Sequence, residues 1–164
     1  MTLAIRKTVA DAKGFCIWAA SAPVGDFAIY HIGELGRDRI NNPELHELAE
    51  TVLILCGTGY VVSAQYPMRL AHINGWSYVA TRSRGGWAPR AFLRREIDST
   101  EYRALNALRH RDAAMSAPRT VRDALSCPDS VASDMLTYLH QSGWVEEAPG
   151  KGWSVSATGL RMLV

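Results

Sequence analysis

The chain has 164 residues, of which 48% are hydrophobic and 21% charged, and its formal net charge is +2. This composition is typical of a globular protein and excludes a disordered tail, while the length allows one domain or two small ones. The absence of an apolar run of about 18 residues excludes a membrane-spanning helix.

The N-terminus and the cysteines indicate a location inside the cell. A weakly apolar patch at 17–22 is preceded by Asp11 and Lys13, unlike the apolar core of a secretory signal. The cysteines are odd in number, far apart and not at zinc-binding spacing: Cys16, Cys56 and Cys127. We therefore expect a cytoplasmic protein with buried thiols and no disulfide, metal or other cofactor.

In chain order, the first half predicts a helix, a strand, a loop and a second helix. We expect the first helix at 2–14, a break at 21–26 and a buried strand at 27–32. Residues 33–42 predict a polar loop, and Asn42 and Pro43 predict the N-cap and first residue of the next helix. That helix has an apolar stripe facing the core: Leu45, Leu48, Val52 and Leu55.

The second half predicts three helices followed by a β-hairpin. The first helix runs from a cap at Ser99 or Thr100 to Arg111, with Tyr102, Leu105 and Leu108 inward. The second covers 120–125, and the third opens at 128–130 and ends at a glycine, position 143. The hairpin leaves at Val145, turns at 149–152 and returns with alternating Trp153, Val155 and Ala157.

A repeated pattern connects the halves, because residues 55–82 and 138–159 both predict a helix that stops at a glycine before a hairpin. The aligned pairs are Leu55/Leu139, Gly59/Gly143, Tyr60/Trp144, Val61/Val145 and Ala64/Ala148. Farther on, GWSYVAT (75–81) matches GWSVSAT (152–158) at five of seven positions. This alignment gives Trp76 and Trp153 the same place in the return strand. The longer spacer predicts a longer first hairpin.

The segment SVASDMLTYLHQSGWVEEAPGKGWSVSATG (130–159) resembles the winged helix-turn-helix superfamily. There, a helix ending in Leu-x-x-x-Gly-aromatic-Val leads into the wing, and the return strand ends in residues like Thr-x-x-Gly. The resemblance covers 99–164 and, in part, 1–82. It implies an α+β fold with two winged-helix-like domains in tandem, each of helices plus a hairpin wing, at 1–82 and 99–164 with a basic linker at 83–98.

The segment VGDFAIYHIGELGRDRINNPELHELAE is also similar to a phrase of small uncharacterised prophage proteins. The matching residues are Tyr30, His31, Gly33, Leu35, Asp38 and Arg39. The similarity implies an origin in a phage or other mobile element and no mechanism.

Positive charge is concentrated in the middle of the chain. Residues 69–122 carry eleven basic and four acidic groups, whereas 1–68 carry five and seven, and 123–164 two and five. The planar guanidinium group of arginine is well suited to hydrogen-bond a phosphate group. A nucleic-acid contact is therefore expected at the first hairpin and linker, and Lys151 is expected to add a contact from the second wing. The expected contacts are Arg69, Arg82, Arg84, Arg90, Arg94 and Arg95. A solvated, internally paired linker is the alternative.

The third helix of the second half lacks positive charge on its predicted outer side. With Val131, Met135, Leu136 and Leu139 toward the core, Asp134 and four uncharged residues face outward: Ser130, Ser133, Thr137 and Gln141. These four can contact DNA bases only as uncharged hydrogen-bonding groups. In the first half, Glu44, Glu47 and Glu50 are expected on the outer side, where they would repel phosphate.

No arrangement of residues predicts catalysis. The five histidines form no metal-binding spacing, and the glycine pairs lack the lysine of a phosphate-binding loop. We expect no catalytic residue. Of the tryptophans, Trp87 is the better candidate for contact with a partner.

The sequence therefore favours a DNA-binding regulator or accessory factor of a phage or mobile element, acting on double-stranded DNA through tandem winged helices. The alternative is an adaptor or inhibitor that binds a host or phage protein through the same domains. A third hypothesis is RNA binding or nucleic-acid mimicry. The oligomeric state stays open, a homodimer included.

Overall fold

The computed structural model describes residues 7–70, 73–149 and 152–164. The chain divides into two compact units, the first comprising Met1–Ala88 and Leu93–Arg95 and the second Pro89–Phe92 and Glu96–Val164. Each unit combines helices with a small sheet, so the predicted α+β class is confirmed. Within the described ranges, no helix is both long and apolar enough to cross a membrane.

The first unit is a four-stranded sheet with two main helices. Its elements are β1 (Lys7–Thr8), α1 (Ala12–Ser21), β2 (Phe27–Gly33), α2 (Leu35–Asp38), α3 (Pro43–Gly57), β3 (Val61–Leu70) and β4 (Ile73–Arg82). The strand order is β1-β2-β4-β3, with β1 parallel to β2 and the other pairs antiparallel. The register between β2 and β4 shifts between Ile29 and His31, which is a β-bulge at Tyr30.

The core of the first unit forms where α1 and α3 contribute large apolar side chains. Phe15 and Trp18 of α1 and Leu48 of α3 are at most 1% exposed. The predicted α3 stripe is confirmed, because Leu45, Leu48, Val52 and Leu55 are all buried. Burial of each such side chain stabilises the fold by about 1.5–3 kcal/mol.

Two local predictions for the first unit are wrong. Residues 2–6 of the helix predicted at 2–14 lie outside the described residues, and the rest of that range begins with the strand β1. The Asp11 carboxylate accepts the Gly14 N–H at 2.6 Å, so the helix starts at Ala12 and runs to Ser21. Residues 33–42 are not all loop, because they contain the one-turn helix α2. The predicted start of α3 is confirmed, since the Asn42 side chain accepts the Leu45 N–H and Pro43 follows the cap.

His31, Gly33 and Asp38 anchor α2. His31 Nε2 lies 3.0 Å from Asp38 Oδ2, and this oxygen also accepts the Glu34 N–H at 2.9 Å. Gly33 has φ of +138°, and a Cβ there would lie 2.6 Å from the same carboxylate. The hydrogen bond from His31 and the backbone contact at Glu34 hold the pKa of Asp38 below its ordinary value.

Two further contacts fix α2 within the unit. The Leu35 N–H donates to the Tyr78 hydroxyl of β4 at 3.3 Å. Arg39, directly after α2, forms an ion pair with Glu50 of α3 at 3.4 Å. Residues 31–39 therefore have a structural role in the first unit.

The second unit is helical with a two-stranded sheet. Its elements are α4 (Arg90–Leu93), α5 (Ser99–Arg109), α6 (Ala117–Leu125), α7 (Asp129–Gln141), β5 (Val145–Ala148), β6 (Gly152–Val155) and α8 (Ala157–Met162). Its largest fully buried side chains are Phe92, Ile97, Leu105, Val121, Leu139 and Leu163. The inward positions predicted for α5 are confirmed, because Tyr102, Leu105 and Leu108 are buried.

Several details of the second unit differ from expectation. The cap of α5 is Asp98, not Ser99 or Thr100, because Asp98 and Glu101 form a reciprocal capping box. The return strand ends at Val155, and Ser156 then caps α8 by accepting the Gly159 N–H, so Ala157 is helical. Helix α6 begins at position 117, three residues before the predicted start.

The first part of the repeat is confirmed at the two helix ends. Gly59 and Gly143 have φ of +72° and +73°. The Tyr60 N–H donates to the Leu55 carbonyl at 2.9 Å, and the Trp144 N–H donates to the aligned Leu139 carbonyl at 2.9 Å. These bonds, together with the glycine in the left-handed region, form the same helix ending in both units.

The second part of the repeat is wrong in register. Trp76 pairs with Pro67, the seventh pair from the start of the long first hairpin, whereas Trp153 pairs with Glu147, the third pair from the start of the short one. The residues that correspond in structure are Ser83 and Ser156: their hydroxyls donate to the carbonyls of Gly59 and Gly143, respectively. The first hairpin is the longer, as predicted, with ten residues in each strand against four.

We predict that Gly143→Ala lowers the free energy of unfolding by about 1–2 kcal/mol, the cost of a left-handed conformation for a residue with a side chain. No atom lies within 4 Å of the new Cβ, so backbone conformation alone is tested. Gly57→Ala is the matched control, because Gly57 also has open space but lies in α3, where alanine is favoured. Urea unfolding measures both, and equal effects would contradict the capping role.

We predict that Asp38→Asn lowers the melting temperature at pH 7 and that the difference from the wild type shrinks in acid. The folded pKa of Asp38 is lowered from 3.8, so its stabilisation is present above about pH 4 and is lost as the pH falls through the lower folded value. Thermal unfolding across a pH series measures this. A difference that persists after the carboxyl group is protonated would contradict the assignment. Asp134→Asn, at an exposed position of α7, is the control.

Candidate nucleic-acid interface

Helices α6 and α7 are joined by a three-residue turn, Ser126 to Pro128. Ser126 adopts the left-handed conformation, with φ 51° and ψ 45°, which is uncommon for a residue other than glycine. The Cys127 N–H donates to the Arg122 carbonyl at 3.2 Å, and the Ala132 N–H donates to the Pro128 carbonyl at 3.1 Å. The turn therefore ends one helix and starts the next within three residues.

The outer face of α7 carries the four residues predicted for it. Ser130, Ser133, Thr137 and Gln141 are all exposed. Thr137 Oγ1 donates to the Ser133 carbonyl at 3.0 Å and keeps its acceptor capacity toward solvent. This face presents hydroxyl and amide groups to solvent.

A second exposed stripe on α7 is partly apolar and was missed in the sequence. Val131 is 46% exposed and Tyr138 45% exposed, and Asp134 lies between them at helical spacing. The prediction that Val131 faces the core is wrong, because Ala132 fills that place with Leu136 and Leu139. A hydrogen bond with the Glu101 carboxylate raises the pKa of Tyr138.

Arg82, predicted to bind nucleic acid, is held inside the first unit. Its guanidinium carbon lies 3.5 Å from the centre of the Tyr60 ring. Its Nη1 donates to the carbonyls of Tyr60 and Ser83 at 3.0 and 2.6 Å. This cation–π contact and the two hydrogen bonds fasten the end of β4 to the start of β3, so the main role of Arg82 is structural.

Arg95 is also occupied, because its Nη1 lies 2.8 Å from Glu47 Oε1 of α3 in the same unit. The prediction that Glu47 and Glu50 form an acidic outer side is therefore wrong: both are in ion pairs, with Arg95 and Arg39, and only Glu44 of the three is exposed. Burial raises the pKa of the nearby Cys16 thiol to about 11, so this cysteine stays protonated at neutral pH.

Three arginines of the predicted set are exposed: Arg84 and Arg94 of the first unit and Arg90 of the second. The side chain of Arg69 and the whole of Lys151 lie outside the described residues. Trp87, predicted to meet a partner, is 47% exposed. The sequence also missed Arg119, which lies on α6 and is 64% exposed, near Asp123 at 3.8 Å.

The segment interpreted as a basic linker is anchored at its N-terminal end. The Trp87 N–H donates to the Thr58 carbonyl at 3.3 Å, and Ser83 is bonded to the end of α3. Gly86 lies against Gly59 so closely that a Cβ on Gly86 would be 2.2 Å from the Gly59 carbonyl carbon. Residues 83–88 therefore continue the first unit.

The described residues form several cavities but no cluster of metal ligands. Among them, no three or more His, Cys, Asp or Glu side chains are grouped to hold a metal ion. A cavity of about 330 Å³ between β1, β2 and the start of α3 has His31 in its wall, but this ring is already hydrogen-bonded to Asp38. The exposed face of α7 is thus the better candidate site.

Comparisons of the chain with models of protein families, with curated proteins and with solved structures find no match. The geometry of the chain's own residues therefore carries the functional assignment.

We predict that Arg82→Ala and Arg95→Ala each lower the free energy of unfolding by about 1–2 kcal/mol, because each removes hydrogen bonds or an ion pair within the first unit. Arg84→Ala is the control, since Arg84 is exposed and its replacement should cost less than about 0.5 kcal/mol. Urea unfolding of the three variants measures this. If all three are equally stable, Arg82 and Arg95 are not structural residues.

Proposed function

We propose that the protein binds double-stranded DNA through the second unit, with α7 as the recognition helix. The observation that carries this proposal is the tight α6–α7 turn at Ser126, which leaves one whole side of α7 exposed. A regulatory or accessory role in a phage or mobile element is part of the proposal, and its support is the phrase that includes Tyr30 to Arg39.

The order of elements supports two winged helices in tandem. The second unit has three helices, α5 to α7, followed directly by a hairpin, and the first has a helix, a strand, two helices and a hairpin. In the first unit β2 pairs with β4, so the early strand extends the hairpin into a sheet. The shared glycine endings of α3 and α7 place each hairpin in the same way after its helix.

In the proposed complex, α7 lies in the major groove and reads bases without charged donors. Hydroxyl groups of Ser130, Ser133 and Thr137 and the amide of Gln141 hydrogen-bond to base edges, and an amide can contact adenine at two atoms. Exposed arginines contact phosphates and supply most of the affinity that is independent of sequence. Of the arginines predicted to bind phosphate, three are exposed among the described residues, so we expect the salt dependence of binding to correspond to few phosphate contacts.

Binding of a protein partner is the second candidate function. The stripe of Val131, Asp134 and Tyr138 favours this function. Two exposed side chains with apolar surface beside a carboxylate can pack against another protein, whereas the carboxylate would repel the phosphates of DNA. An adaptor or inhibitor would use this stripe, whereas a DNA reader would use the adjacent stripe of Ser130, Ser133 and Thr137.

We predict that alanine at Ser130, Ser133, Thr137 and Gln141 reduces discrimination between DNA sites. The difference in binding free energy between sites should fall by about 1–3 kcal/mol for each side-chain contact to a base that is lost. Affinity for random duplex DNA should stay nearly level. Sites selected from a random library, then measured by fluorescence anisotropy, provide the readout. The matched control is Val131→Ala with Tyr138→Ala, which should keep the discrimination. If the four substitutions leave the discrimination unchanged in a folded variant, these residues do not read DNA bases.

We predict the reverse pattern for Arg84→Gln, Arg90→Gln and Arg94→Gln combined. Each phosphate that is no longer neutralised should reduce the slope of log affinity against log salt by about 0.9. The order of preference among DNA sites should not change. Arg37→Gln, at a side chain 79% exposed on α2, is the control for removal of charge alone. An unchanged slope in the folded triple variant would contradict the assignment of these arginines.

A further inference from the structure

Arg111 belongs to the basic middle of the chain, and the sequence assigned no contact to it. It lies just after α5 and is partly buried. Its Nη1 donates to the Met115 carbonyl at 2.9 Å, and its Nη2 donates to the Trp153 carbonyl at 3.1 Å. Met115 lies two residues before α6, and Trp153 lies on the returning strand β6. One guanidinium group therefore bridges the loop before α6 and the β5–β6 hairpin.

The loop that contains Met115 is itself fixed in the second unit. The Asp112 carbonyl accepts the Met115 N–H at 3.0 Å, which closes a turn directly after Arg111. The far end of α6 is held to α5, because Arg103 Nη2 donates to the Ala124 carbonyl at 2.5 Å. Arg111 thus connects the hairpin to a part of the unit that is anchored on both sides of α6.

The hairpin needs contacts beyond its base to stay against the helices. Its base is closed where the Ser156 hydroxyl donates to the Gly143 carbonyl, directly after β6. Trp153 lies farther along β6, toward the turn of the hairpin. An isolated two-stranded hairpin is at best marginally stable in water. The contacts at Trp153 therefore matter for the position of the strands.

Helix α7 supplies a second contact at Trp153. His140 Nδ1 lies 3.1 Å from the Val145 carbonyl, and because a carbonyl oxygen only accepts, Nδ1 carries the hydrogen. The rings of His140 and Trp153 meet edge to face, with their centres 5.3 Å apart and their planes at 87°. The same residue of β6 is thus held by its ring from α7 and by its carbonyl from Arg111.

We propose that Arg111 is a positioning residue, which holds the β5–β6 hairpin in a fixed place beside α7. The inference rests on the proposed function in one respect, namely that the hairpin and α7 then meet duplex DNA as one preorganised surface. A hairpin that is fixed before binding lowers the entropic cost of association. Arg111 thus acts on affinity through the hairpin and needs no contact with DNA itself.

Amide hydrogen exchange of the full chain without DNA tests the positioning role. In Arg111→Gln the amides of β6 should exchange about tenfold faster than in the wild type, because two hydrogen bonds from a charged group are lost. The amides of α5 should change by less than about twofold. Arg111→Lys should lie between the two, since lysine keeps the charge but has one nitrogen where arginine uses two.

Arg109→Gln is the matched control, because Arg109 lies in the last turn of α5 and is exposed. This variant removes the same charge two residues away and should leave exchange in β6 unchanged. The positioning role is overturned if Arg109→Gln and Arg111→Gln exchange alike in β6. It is also overturned if Arg111→Gln speeds exchange equally in α5, which would indicate a general loss of stability.

Fluorescence anisotropy with random duplex DNA tests the consequence for binding. Arg111→Gln should bind about three- to tenfold more weakly than Arg109→Gln, although each variant has lost one positive charge, because the loosened hairpin must be ordered on binding. Equal affinities of the two variants would overturn the role of Arg111 in DNA binding. If the wild type does not bind DNA, the proposed function fails, whereas amide exchange still decides whether Arg111 positions the hairpin.

Discussion

The structure of both units depends on one backbone conformation, the left-handed glycine at the end of a helix. At Gly59 and at Gly143 the chain leaves the helix, satisfies the last carbonyls with the next N–H groups, and enters the outgoing strand two residues later. A serine directly after the returning strand then donates to the carbonyl of that glycine, so the end of the hairpin is hydrogen-bonded to its start. Helix, hairpin and return path are thus positioned together by local hydrogen bonds.

Short-range chemistry explains which parts of the fold the sequence could predict. The cap at Asn42, the buried stripe of α3 and the glycine endings all depend on residues within a few positions of one another. The register of Trp76 depends instead on how far the first hairpin extends, and that length is set by the pairing of β3 with β4 along their whole length. Identity over GWSYVAT and GWSVSAT was therefore misleading, because similar letters occupy different rungs.

The candidate site shows the same division. Exposure of Ser130, Ser133 and Thr137 follows from helical spacing and could be predicted, whereas exposure of Val131 could not, because the small Ala132 takes the place in the core. Charge was the weaker guide. The sequence does not distinguish Arg82 and Arg95 from Arg84. In the structure, however, Arg82 stacks on a tyrosine ring and Arg95 pairs with a glutamate, and both partners are distant in the sequence. Long-range partners of this kind have no local signal.

The contact between Gly86 and Gly59 has a consequence for how this chain could be recombined in evolution. A side chain at position 86 would collide with the carbonyl group at the end of α3, so the segment 83–88 and that helix end are a matched pair. An exchange of gene segments that cut the chain directly after β4 would separate the pair and leave the Thr58 and Gly59 carbonyls without their Trp87 and Ser83 donors. Breakpoints after position 95 would preserve this contact and also the ion pair between Arg95 and Glu47. The unit that would have to be inherited together is thus longer than its last strand, and secondary structure alone does not reveal this.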